Sequence, residues 1–160
     1  MNLGNQVEWA LHCMSVLALM PKGTKLSSQS LAQFHDVPKE YLSKALQAVS
    51  RAGLVITHPG VSGGYTLARS AQEITLLEIV EAVEGRQKTF NCQEIRKNNP
   101  CLSKEEKKFS TVCQIASVMY EADEAWRKVL REKKLSHISE ELQAKLSVKQ
   151  IEKIEEWFLN

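Results

Sequence analysis

Residues 27–67 read SSQSLAQFHDVPKEYLSKALQAVSRAGLVITHPGVSGGYTL, and this stretch decides the fold. Ser27 or Ser28 can cap a short helix running to Phe34, since a serine oxygen accepts from the free N–H groups of a first turn. Val37-Pro38 opens a second helix, because proline's missing N–H would go unpaired there anyway. Tyr41, Leu42, Ala45, Leu46 and Val49 recur at helical spacing and form its apolar stripe. Gly53 stands where a left-handed cap ends a helix. Residues 54–57 read as a strand, 59–64 as a turn and 65–68 as a returning strand. Two short helices joined by a tight turn and followed by a hairpin make a helix-turn-helix with a wing.

Toward the N-terminus, Val7, Leu11, Met14, Leu17 and Ala18 predict an amphipathic helix over 5–20, ended by Pro21 and Gly23. Past the wing, Thr75-x-x-Glu78 is a capping box that opens a helix over 76–84, stopping at Gly85. Residues 86–104 lack periodicity and read as a loop, with Ser103-x-x-Glu106 able to start a further helix. From Ile115 the stripe Ile115, Val118, Met119, Ala122, Ala125, Trp126 and Val129 describes a long helix with one apolar face. Such a face needs a cover, and a second copy of the chain is the simplest. Ser147-x-x-Gln150 caps a last helix whose Ile151, Ile154 and Trp157 or Phe158 turn inward, expected to pack back onto the long helix. The fold class is therefore mainly α with a small β wing, a winged helix-turn-helix plus a long dimerisation helix. The expected organisation is a DNA-binding domain at 1–85, a cysteine-bearing loop at 86–112, a dimerisation helix region at 113–146 and a C-terminal helix at 147–160.

Composition narrows the function. At 160 residues, with 43% hydrophobic and 25% charged content, the chain suits a soluble globular protein. No apolar run approaches the roughly 20 residues of a membrane span. The first residues lack the pattern of a signal peptide, so a cytoplasmic location is expected. With no glycine-rich phosphate loop and no evident nucleophile–base pair, neither an enzyme nor a small-molecule substrate is expected. Residues 1–70 carry six Lys/Arg against three Asp/Glu, while residues 71–160 carry fifteen against sixteen. The basic excess lies in the half expected to meet phosphate, so double-stranded DNA is the expected partner.

In a winged helix the N-terminal part of the third helix reaches base edges. Lys39, Glu40, Ser43, Lys44 and Gln47 are its candidate contacts. The lysines can neutralise phosphate or read guanine, and Gln47 has the paired donor and acceptor that suit adenine. Ser28 and Gln29 begin the preceding helix, whose N–H groups can hold a phosphate. The wing adds His58, Ser62 and Arg69.

In a reducing cytosol Cys13, Cys92, Cys101 and Cys113 are read as buried thiols, metal ligands or redox sensors before they are read as disulfides. Cys13 falls on the core side of its helix. Glu8 and His12 are four residues apart and share one helix face. A carboxylate and an imidazole so placed can both reach one metal centre, or form an ordinary surface pair.

The runs Tyr41-Leu42-x-x-x-Leu46, Gly53-Leu54-Val55, Gly63-Gly64-Tyr65-x-Leu67 and Ile74-Thr75-Leu76-x-Glu78-Ile79-Val80-x-Ala82-Val83-Glu84-Gly85 resemble the iron–sulfur winged-helix regulators of the IscR, NsrR and RirA type. The resemblance covers about residues 1–138. It implies a homodimer with a cluster near its interface and three cysteines in the loop before the dimerisation helix. Here Cys92, Cys101 and Cys113 are spaced C-x8-C-x11-C, the second interval longer than the family's usual one. Pro59 stands where relatives often carry an arginine.

Glu8-Trp9-x-x-His12 with Cys92 and Cys113 downstream resembles the redox-sensing RsrR type within that family. The resemblance implies a [2Fe–2S] cluster bound by Cys92 and Cys113 of one subunit and by Glu8 and His12 of the other. Cys101 is then a spare thiol or an alternative ligand, and Trp9 is core packing or a bulky redox switch. An imidazole in place of a thiolate raises a cluster's potential, and the carboxylate of Glu8 is the ligand expected to shift on reduction. The expected function is a transcription regulator, a repressor by default, whose operator affinity follows the redox state of the cluster. The alternatives are a cluster-free regulator that senses oxidants through its thiols, and a zinc-holding version of the same site.

Overall fold

The computed structural model describes residues 3–159. Among these residues the order is α1 (Asn5–Leu19), α2 (Ser28–His35), α3 (Lys39–Arg51), β1 (Val55–His58), β2 (Gly64–Leu67), α4 (Leu76–Glu84), α5 (Gln114–Glu132), α6 (Leu135–Lys145) and α7 (Val148–Leu159), with a single 3₁₀ turn at Ile95–Asn98. The protein is mainly helical, as its periodicities require. The chain forms two compact units, one of residues up to Arg86 together with those from Leu130 onward, the other Gln87–Val129.

The first unit is the winged helix. Met14, Leu26, Leu31, Leu42, Leu46, Leu54, Ile74, Ile79 and Leu135 are its largest fully buried side chains, and α1 packs on α3, α4 and α6 around them. Ser27 caps α2 by accepting from the Ser30 N–H at 2.9 Å. Asp36 closes α2 in the left-handed conformation, which turns the chain sharply into α3. Pro38 occupies the cap position itself, one residue before the first helical one. Gly53, at φ 71, supplies the left-handed exit from α3.

β1 and β2 pair antiparallel, with Val55 opposite Leu67 and His58 opposite Gly64. Tyr65 and Leu26 exchange backbone hydrogen bonds at 2.8 and 3.1 Å, which hold the wing to the turn before α2. Gly64 is required there: at φ 152 a Cβ would stand 2.7 Å from the Leu26 backbone. The capping box forms as read, with Thr75 accepting from the Glu78 N–H and Glu78 accepting from the Thr75 N–H.

Four expectations need correction. The stretch 113–146 holds two helices, because the chain leaves helical geometry after Glu132 and Lys134 bridges to Thr75. The Leu135 and Ser136 N–H groups then donate to Ile74 and Ala71, so α6 belongs to the core of the winged helix. The last helix turns Trp157 and Phe158 onto Phe34 of α2, with ring centres 5.2 and 4.8 Å away, where the long helix had been expected. Ser103 and Glu106 do exchange capping hydrogen bonds, yet only a turn follows. Tyr41 leaves the apolar stripe of α3 and is 52% exposed, with the Lys44 ammonium 5.3 Å from its ring centre.

Candidate DNA-reading surface and cysteine loop

The capped start of α2 and the sharp turn at Asp36 present α3 with Leu42, Ala45, Leu46 and Val49 inward. Lys39, Glu40, Lys44 and Gln47 are exposed along its other face, and Ser43 is half-buried beside them. Gln29 is exposed at the start of α2, with Ser28 half-buried. Ser62 is exposed at the wing tip. Two wing residues are already engaged. His58 shares a hydrogen bond with Thr66 across the strands at 3.0 Å. Arg69 donates to Glu78 at 2.9 Å and to the Glu73 carbonyl at 3.3 Å. Burial alone would raise the Glu78 carboxyl, but hydrogen bonds from Arg69 and Thr75 outweigh it and hold it below the usual carboxylate range.

On α1, Glu8 and His12 are both exposed, one turn apart on the side away from Ala10, Met14 and Leu17. With Trp9, His35 and Val37 they line an open hollow of about 200 Å³. Trp9 is half-buried against the core. His35 went unnoticed in the sequence. Its ring centre lies 5.6 Å from that of His12, and its Nε2 is buried with no hydrogen-bond partner among the described residues. Burial, with the neighbouring His12, lowers its pKa. Cys13 is fully buried in the same helix, and burial pushes its thiol up to about 12. It is a packing residue.

In the second unit the loop begins on Thr89, whose hydroxyl donates to Asp123 of α5 at 2.7 Å. The same carboxylate accepts from the Trp126 indole at 2.8 Å and from Arg127 at 3.1 Å. The hydrogen bond from Thr89, opposed by partial burial and joined by those from Trp126 and Arg127, lowers the Asp123 pKa to about 2. Cys92 and Cys113 are half-buried, and Cys101 is fully in the open. The Cys92 sulfur accepts from the Glu94 N–H at 3.4 Å. Cys113 stands just before α5, where the Ala116 N–H, against some burial and with help from the Ile115 N–H and Arg96, lowers its pKa. Cys113 is thus a thiol inclined to act as a thiolate.

By donor type, Cys92, Cys113, Glu8 and His12 are residues that could hold an iron–sulfur group. Two cysteine sulfurs that accept N–H···S bonds suit such ligation, and an imidazole with a carboxylate a turn away makes a mixed set. Among the described residues no three His, Cys, Asp or Glu side chains gather in a way that could hold a metal ion. The donors come as two pairs, one on α1 and one at the ends of the loop.

A helix-turn-helix with a wing, carrying a basic reading face, defines a DNA-binding regulator. The chain belongs to the Rrf2 family, described as iron-dependent transcriptional regulators, whose model matches residues 3–141. It is 28% identical over 152 residues to the HTH-type transcriptional regulator NsrR of Halalkalibacterium halodurans, covering 93% of this chain and 99% of that one. In fold it is similar to IscR of T. potens (TM-score 0.69, 21% identity, 92% and 93% of the two chains). It is also similar to CymR, the global cysteine regulator of B. subtilis (TM-score 0.65, 20% identity, 88% and 97%). No helix of the described residues is long and apolar enough to cross a membrane.

Proposed function

We propose that the protein is a homodimeric regulator whose operator affinity is set by the redox state of a [2Fe–2S] cluster, held by Cys92 and Cys113 of one subunit and by Glu8 and His12 of the other. The observation that carries this reading is α1. One face exposes Glu8 and His12, and the opposite face is packed on the DNA-reading helix α3. A bound cluster supplies a one-electron change of charge. Glu8, the harder and weaker donor, would be the residue whose hold on such a group is most sensitive to that charge. His12, a turn further on, keeps the helix attached. Tension on α1 is passed by contact to α3, and so to the spacing of two reading heads on a pseudo-palindromic site.

The dimer rests on α5. Ile115, Val118, Met119, Ala122, Ala125 and Val129 lie exposed along it, as a helix awaiting a partner requires. Repression is the mode we assign, since a dimer seated on an operator excludes other proteins from that DNA.

Operator selection from random duplexes under anaerobic conditions tests the reading. The selected site should bind one redox state about 5- to 150-fold more tightly than the other, the span of typical coupling energies. Equal binding of both states overturns redox control.

A second reading is favoured by Cys113, whose thiolate is stabilised without any metal. In it the cysteines are oxidised directly and no cluster forms. Loss of DNA binding on thiol oxidation in iron-free protein, restored by a dithiol, supports this reading over the first.

A further inference from the structure

No residue between 87 and 112 is buried, so apolar packing does not fix the segment that carries Cys92 and Cys101 and leads to Cys113. Polar contacts do, and the Arg96 side chain joins distant parts of the segment. Its guanidinium donates to both carboxylate oxygens of Glu94, at 2.5 and 2.7 Å. It also donates to the Thr111 carbonyl at 2.9 Å and stands 4.2 Å from the centre of the Phe109 ring.

Glu94 lies two residues past Cys92 and Thr111 two before Cys113. One side chain therefore joins the two stretches of loop that hold the half-buried cysteines. Glu94 takes a left-handed conformation, φ 51, which brings its N–H to the Cys92 sulfur while its carboxylate meets Arg96. Both sulfurs lie within electrostatic reach of the guanidinium. A planar fork with five donors can serve a carboxylate, a carbonyl and an aromatic face together; an ammonium cannot.

We propose that Arg96 is the positioning residue of the cysteine loop, tying the Cys92 turn to the approach to Cys113 and setting a fixed positive charge beside both sulfurs. The tie is independent of any cofactor; the charge role rests on the reading that the two sulfurs are cluster ligands. Arg96 offsets the Glu94 carboxylate beside the sulfurs. A neutral side chain in its place would leave that negative charge unopposed and disfavour the reduced, more negative form of a cluster held there, so Arg96 raises the potential relative to such a variant.

The test uses full-length protein purified without oxygen, with Arg96→Gln and Arg96→Lys beside the parent. Because the loop contributes nothing to a buried core, neither variant should unfold. Amide exchange of the metal-free chains reads the tie, since exchange follows local opening. Exchange across residues 92–112 should quicken at least about tenfold in Arg96→Gln while α3 and α4 are unchanged. Equal loop exchange in parent and Arg96→Gln overturns the tie.

The midpoint potential of the cluster-bearing protein reads the charge. Arg96→Gln should shift the one-electron equilibrium about tenfold toward the oxidised form, which is 59 mV, with Arg96→Lys near the parent. A common potential for all three overturns the charge role. A parent that assembles no cluster overturns the cluster reading and the charge role with it, and amide exchange then decides the tie alone.

Discussion

Arg69 and Glu78 are paired at 2.9 Å, while the other oxygen of the Glu78 carboxylate accepts from the Thr75 N–H and hydroxyl at 2.8 and 2.9 Å. One carboxylate thus fastens the exit of the wing to the first turn of α4 and caps that helix. Its pKa is held below the ordinary value by those bonds. The stability it contributes is therefore present above the usual carboxylate range and is lost as pH falls through the lowered value. Both partners are 38% exposed, so the ion pair itself is worth about 0.5–1 kcal/mol. Glu78→Gln should lower stability by about that much near neutral pH in a urea titration, and the gap to the parent should close in acid.

Arg69 is held by Glu78 and the Glu73 carbonyl, whereas Lys44 is exposed on α3. Lys44→Ala should weaken binding evenly across sequences and reduce the slope of log affinity against log salt by about 1. Arg69→Ala should leave that slope unchanged. If instead it lowers the slope as Lys44→Ala does, Arg69 leaves Glu78 for phosphate on binding. Fluorescence anisotropy over a salt series separates the two.

Asp123 joins the loop to α5 through Thr89, Trp126 and Arg127. Its pKa is near 2 in place of 3.8, so its contribution is complete above pH 4 and fades toward pH 2. Asp123→Asn keeps the shape and removes the charge, and should destabilise the protein by about 1–2 kcal/mol near pH 6. Chemical denaturation of parent and variant at several pH values measures this, and the difference should shrink on acidification.

Val118 is 64% exposed in the middle of the apolar row on α5. Val118→Asp should leave the winged helix folded but turn a dimer into a monomer in sedimentation. Operator binding should weaken by at least about 100-fold, since each head then binds alone. A dimer that survives this substitution pairs through another surface.

Much of the fold was legible because it rests on local signals. The Ser27 cap, the Thr75–Glu78 box, the left-handed Gly53 and the Gly63-Gly64 turn each have one physical use, and each fell within a residue or two of its expected place. What the sequence hid was tertiary. The apolar stripe ran only to Val129 and did not announce a second helix; backbone hydrogen bonds from Leu76 and to Ile74 interrupt the chain there and draw α6 into the core. Tyr41 fitted an apolar stripe by spacing, yet the burying surface ends at Leu42. In the candidate site, Glu8 and His12 followed from helical spacing and the cysteines from their chemistry. Arg96 and His35 did not, because their partners lie at separations no local pattern announces: Thr111 in one case, the ring of His12 in the other.

The most direct test of the account is an absorbance spectrum of anaerobically purified protein before and after dithionite, with iron and sulfide counted per chain, for the parent and for Glu8→Ala. The account predicts visible bands that bleach on reduction, about two iron and two sulfide per cluster, and altered bands or a lost cluster in Glu8→Ala. A colourless, iron-free parent that cannot be reconstituted, or a Glu8→Ala protein whose cluster matches the parent in spectrum and content, would contradict it.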